Sequence, residues 1–149
     1  MLDVVPTLAG FVTFCRDVAG FTTEVMPDND PGFDRGFTIA QSMIPLQLNL
    51  IDPVIFTDCT YCWGVSVILQ FQGDQSGETY FADMRSAYGV NNLVPGVISS
   101  TADEATSTSL TVGKSLSNMS LTDLQRVKDP FGRQAIAYLM ELGTSWGLS

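Results

Sequence analysis

The sequence predicts a mainly α-helical protein: a helical bundle with one small Ser/Thr-rich β-hairpin, a C-terminal helix and a short tail. Three observations carry this. Two Asp-Pro pairs, Asp52-Pro53 and Asp129-Pro130, set an N-cap acceptor directly before a proline at the first helical position. Apolar residues recur at helical spacing on both sides of the chain's middle. Between residues 96 and 113 the texture changes to Ser, Thr and Val, which suits a pair of strands.

Taken in order, Thr7 follows Pro6 and is placed to cap a short helix whose Leu8, Phe11, Val12 and Cys15 share one face. Residues 19–31, with Gly20, Pro27, Asp28, Asn29, Asp30 and Pro31, read as turn and loop. A second helical pattern starts at Gly32 and runs through Phe33, Phe37, Ala40, Ile44 and Leu48. Pro45 is expected to kink or interrupt it. Asp52-Pro53 then opens a helix to about Gln72 that is apolar nearly all round, from Val54 to Phe71. Such a helix belongs at the centre of a bundle or in a subunit interface. Residues 73–77 are a loop, Thr79–Tyr88 suit a short helix, and residues 91–96 a turn. Val97–Thr101 and Ser107–Val112 suit the two strands, with Asp103-Glu104 near the hairpin tip. The helix opened by Asp129-Pro130 carries Phe131, Ala135, Tyr138, Leu139 and Leu142 as its apolar stripe, and Gly143 suits its stop. Residues 1–143 thus form one helical domain, and 144–149 a tail with Trp146 and Leu148.

Charge and composition narrow the function. The 149 residues carry 16 acids against 7 bases, a net charge of -9, and no histidine. An acidic surface repels phosphates, so sequence-specific nucleic-acid binding is not expected. The lack of histidine removes the commonest general base, the commonest metal ligand and every Ser-His or Cys-His arrangement. The N-terminal stretch reads without a secretory signal, since Asp3 and Pro6 break it. No window is expected to span a bilayer, because Gly64 and Ser66 interrupt the most apolar run.

The motif that most resembles chemistry is the C-x-x-C of Cys59 and Cys62. Redox pairs sit at a helix N-terminus, where the dipole lowers a thiol pKa. Cys59 falls two turns into the helix opened by Asp52, and the βαβ context is missing. Zinc would need two further ligands, and Cys15 is the one other cysteine. Burial as small apolar residues is the reading this position favours; a dithiol pair and a metal site are the alternatives. The acids Asp28–Asp34 resemble half a calcium loop, but the sixth position is Phe33 and the twelfth Ile39, where Gly and Glu are wanted. They read as a solvated capping loop. No catalytic residue, metal site or cofactor site is expected.

Several motifs in order resemble the small head-to-tail connector (adaptor, or head-completion) proteins of tailed bacteriophages. They are Pro6-Thr7 with the Phe-containing first helix, the apolar central Tyr61–Phe71 segment, Gly96-Val97-Ile98-Ser99-Ser100, and Pro130-Phe131-Gly132-Arg133. The similarity runs over about residues 5–143. Phe71-Gln72 stand where the family usually has a histidine, and the stretch from Gly73 to Leu93 is longer than its usual one. The resemblance implies a structural virion protein. It would form a ring of about a dozen copies below the portal, joining capsid to tail and extending the DNA channel. Its partners would be the portal, other neck or tail proteins and further copies of itself, with DNA sliding through unread and no membrane or cofactor involved. It would be made in the host cytoplasm and reside in the virion neck. Apolar helix surfaces suit contacts between ring subunits, and Trp146 and Leu148 in 144–149 suit docking to the portal. Other neck positions, stopper or tail terminator, are the nearest alternative, and a small dithiol oxidoreductase using Cys59 and Cys62 is a remoter one.

Overall fold

The computed structural model describes residues 5–91 and 125–145, with side chains to Leu142. The described chain is a helical bundle: α1 Leu8–Asp17, α2 Pro31–Met43, α3 Leu48–Ile51, α4 Pro53–Phe71, α5 Tyr80–Ala87 and, by our numbering, α6 Pro130–Ser145. No strand occurs among the described residues. The expected hairpin at 96–113 lies outside them, as do Asp103 and Glu104.

Helix α4 is the axis on which the others pack. Its N-cap Asp52 accepts from the backbone N–H groups of Val54 and Ile55, as an Asp-Pro start requires. Fourteen of its nineteen residues are buried, from Phe56 to Gln70. Helices α2 and α6 flank it, and α1, α3 and α5 also contact it. The all-round apolar surface that would suit a subunit interface is therefore consumed inside the chain. By length and composition alone α4 could also cross a bilayer, contrary to the sequence expectation. In this fold 78% of its most apolar window is buried against neighbouring helices.

Close approach of α2 to α4 depends on two glycines. A Cβ on Gly64 would stand 2.7 Å from the Phe11 ring and 3.3 Å from the Gly36 carbonyl oxygen. Around this crossing Phe11 stacks on Phe37 at 5.8 Å, meets Tyr61 at 5.9 Å and meets Phe33 edge-on at 6.5 Å. Rings in such offset and edge geometries gain beyond their buried area. The Tyr61 hydroxyl accepts from the Thr7 N–H at 3.1 Å, tying the start of α1 to the middle of α4. Thr7 also caps α1 by accepting from Gly10 N–H. The buried face of α1 is Phe11, Phe14 and Cys15; Leu8, expected with them, is 39% exposed.

The second helix starts earlier than expected. Asp30 caps it by accepting from Gly32 N–H, and Pro31 is its first residue. It ends at Met43, and after Pro45 the chain reaches Leu48 in the separate α3. The loop between α1 and α2 is held by one side chain. The Arg16 guanidinium donates to the carbonyls of Phe21, Thr22 and Met26, pairs with Asp28 at 2.6 Å, and lies 5.1 Å over the Phe33 ring. Helix α5 is capped from the preceding loop, where Asp74 accepts from Phe81 and Ala82 N–H. Helix α6 continues through Gly143 to Ser145, past the stop expected from sequence. The ends of helices fray, and an isolated glycine is tolerated within them at a modest cost.

Candidate functional site

Trp146 and Leu148, the partner-binding residues expected from sequence, lie outside the described residues. Three other features inside them merit a functional reading: the cysteine pair, a buried polar network and an exposed apolar face.

Cys59 is fully buried and Cys62 nearly so. The Cys59 thiol approaches the Ala135 carbonyl at 3.6 Å, and Cys62 faces the Asp58 carboxylate at 4.0 Å. Burial, and then the nearby Asp58 charge, push the Cys59 thiol up to about 12 and move Cys62 further in the same direction. Cys15 is raised too, by burial. A nucleophilic or redox-active cysteine needs the opposite shift and some access to solvent. All three thiols act as small apolar residues, Cys59 at the α4–α6 contact. Among the described residues no group of three His, Cys, Asp or Glu side chains suits a metal ion.

The buried network sits where the start of α6 meets α4. Asp129, with no exposed surface, accepts from Ser66 Oγ at 2.6 Å and from Gln70 Nε2 at 2.9 Å. Its other oxygen caps α6 by accepting from Gly132 N–H at 2.8 Å. Arg126, 4% exposed, donates to Ser66 Oγ and Gln70 Oε1 and lies over the rings of Trp63 and Phe71 at 5.9 and 5.6 Å. Burial lowers the Arg126 pKa, and the Asp129 charge opposes that shift. Arginine and aspartate are thus joined through a serine and a glutamine rather than by direct contact, and the Arg126 Nε is left buried without a hydrogen-bond partner. The arrangement could be mistaken for an activated serine. Ser66 Oγ, however, donates to Asp129 and also accepts from Arg126 and Gln70, so its hydroxyl is saturated. The network is a latch between helices. Gly132 belongs to it sterically, because a Cβ there would collide with the Arg126 carbonyl oxygen.

A second, smaller tie lies further along α6, where the Tyr138 hydroxyl donates to Asp58 at 2.7 Å. Burial and this bond push the Tyr138 pKa up to about 12.

No protein-family model, curated protein or solved structure matches the chain. The site must therefore be read from its own residues.

The third feature is on the surface. Among the described residues nine large apolar side chains are exposed, and four of them fall within one short stretch: Met43, Leu46, Leu50 and Val54, at 42%, 74%, 79% and 46% exposure. Leu48 between them is fully buried. Residues 36–51 contain no charged side chain, and the Asp52 carboxylate is engaged in capping α4. Exposed apolar side chains so close together in the sequence of a strongly acidic chain have the character of a contact surface.

Sequence reasoning passed over the latch. Its signal was present: Ser66 and Gln70 are polar residues one turn apart in the otherwise apolar second half of α4, a spacing that marks a buried polar partner on that side.

Proposed function

We propose that this chain is a structural virion protein, a ring-forming connector below the portal that joins a phage capsid to its tail. The observation that carries this reading is the order of the sequence motifs, above all Gly96-Val97-Ile98-Ser99-Ser100 followed by Pro130-Phe131-Gly132-Arg133. The helical bundle is compatible with it, and Pro130 and Gly132 have clear physical work at the start of α6. The described thiols and buried acids are committed to packing and capping, which favours a structural role over a dithiol oxidoreductase. The net charge of -9 suits a channel wall along which DNA slides without strong contacts. The portal, the next neck or tail protein and further copies of the chain are the proposed partners. Trp146 and Leu148 are the residues we assign to portal docking. A stopper or tail terminator is the neighbouring reading, and the same experiment separates them.

That experiment is electron microscopy of the particle containing this chain, with the subunit located by a fused tag. A ring of about twelve-fold symmetry against the portal is the expected result. A location at the tail end of the neck would move the chain to the stopper or terminator role. Absence of the chain from purified particles would sink the virion reading.

A further inference from the structure

Helix α6 runs antiparallel to α4. Ser66 meets Asp129, Cys59 meets Ala135 and Asp58 meets Tyr138, so each turn towards the end of α6 lies one turn nearer the start of α4. Before the start of α4 stands α3, Leu48–Ile51, and α6 contacts it. The chain therefore leaves α6 at Ser145 close to α3. We infer that in the free chain the next residue, Trp146, folds against α3 and lays its indole on the Leu50 side chain.

Phase and surface chemistry agree on this pairing. Ala135, Tyr138, Leu139 and Leu142 of α6 pack against the core, and Trp146 comes one turn after Leu142 and two turns after Leu139, the spacing of one helix face. The sequence thus carries the apolar stripe of α6 one residue past its last turn, on the side where α3 lies. Leu50 is 79% exposed, more than any other large apolar side chain among the described residues. Beside it, Asn49 keeps a buried side-chain oxygen without a hydrogen-bond partner among the described residues. An indole brings an apolar body and one N–H donor, which suits both neighbours.

Tethering selects Trp146 over any outside apolar group. A second copy, another protein or a lipid surface must come from solution, whereas Trp146 is held at the end of a helix that touches α3. A segment tethered so closely is present at an effective concentration on the order of millimolar, above that of a purified subunit in solution. The inference does not rest on the virion reading. On that reading it adds a condition: the portal would have to draw Trp146 off α3 before docking it.

The test is fluorine NMR of the full chain labelled with fluorotryptophan, which reports on Trp63 and Trp146, the two resonances being assigned with Trp146→Phe. A soluble gadolinium chelate broadens whichever indole is open to solvent. Wild type, Leu50→Ser and the control Val18→Ser are compared over a dilution series; Val18 is 58% exposed but follows α1, remote in sequence from α3. Trp63 is buried in the core, so its unmoved resonance certifies the fold of each variant, and Leu50→Ala replaces Leu50→Ser if that resonance shifts. We expect Trp146 of wild type to be shielded from the chelate at every concentration, Leu50→Ser to broaden it several-fold more, and the control to match wild type. A wild-type Trp146 as open as free tryptophan, or one that Leu50→Ser leaves unchanged, overturns the inference. Shielding that disappears on dilution also overturns it, and gives Leu50 to a second copy instead.

Discussion

Consider the substitution Asp129→Ala. It removes the N-cap of α6, a loss worth about 1 kcal/mol at an ordinary helix start. It also strips the buried acceptor from Ser66, Gln70 and, through them, from Arg126, whose guanidinium is 4% exposed. A buried donor left without its partner costs about 1–3 kcal/mol, and breaking a buried charge pair by removing one member costs about 3–5 kcal/mol. Asp52→Ala supplies the internal standard, because Asp52 caps α4 in the same Asp-Pro context but is only half-buried and binds two backbone N–H groups. We therefore expect Asp129→Ala to lose about 3–5 kcal/mol and Asp52→Ala about 1 kcal/mol. Urea unfolding measures both, with the first displaced by a midpoint on the order of 2 M. Adding Arg126→Met to Asp129→Ala should restore part of the loss, since the orphaned cation is then gone, and the double variant should cost less than the sum of the singles. Losses within about 0.5 kcal/mol of each other for Asp129→Ala and Asp52→Ala would refute the latch and leave Asp129 a cap alone.

Three further expectations come from the same packing. Ellman's reagent at pH 8 should find no fast thiol in the folded protein and three after unfolding, because Cys15, Cys59 and Cys62 are all buried; a single fast thiol would reopen the question of chemistry at C-x-x-C. Gly64→Ala should cost about 1–3 kcal/mol through overpacking against Phe11, and Gly132→Ala at least that much because its obstacle is backbone. Gly73→Ala, with open space around it, should stay within about 0.5 kcal/mol of wild type in the same urea unfolding. Tyr138 and the thiols hold their protons more tightly folded than unfolded, so their contribution is complete below their ordinary values and is lost as pH rises. For Tyr138 that window runs from its ordinary 10.0 to about 12. Tyr138→Phe should make the alkaline loss of stability shallower in that window, and an unchanged slope would count against the bond to Asp58.

The helices were legible in the sequence where their ends carry local chemistry. Asp52-Pro53 and Thr7 cap helices as their side chains predict, and the near-uniform apolarity of 54–71 does mark the centre of the bundle. Asp30-Pro31 is the same device as Asp52-Pro53, but the turn-forming residues 27–31 around it hide the helix start. What stayed hidden was set by distant contacts. Arg16 reaches carbonyls up to ten residues away, and the latch joins residues about sixty positions apart. No periodicity within one helix encodes such pairings. Nor did apolarity alone decide whether α4 faces its own chain or a neighbour. That depended on how many other helices had apolar faces to lay against it, and α1, α2, α3, α5 and α6 all do.

The break at Pro45 links the fold to its exposed face. Proline has no N–H to donate and disfavours a helical residue before it, so Ile44 adopts an extended backbone and α2 stops at Met43. The chain must still return to the Asp52 cap, and it does so through a turn and the four residues of α3. So short a segment can turn one side inward. Ile44 and Leu48 take that side and are buried, which leaves Leu46 and Leu50 facing solvent. Had the helix run on without interruption, its Ile44–Leu48 face could have continued the core stripe of Phe33, Phe37 and Ala40. The interruption costs the chain a continuous helix and leaves two leucines outside.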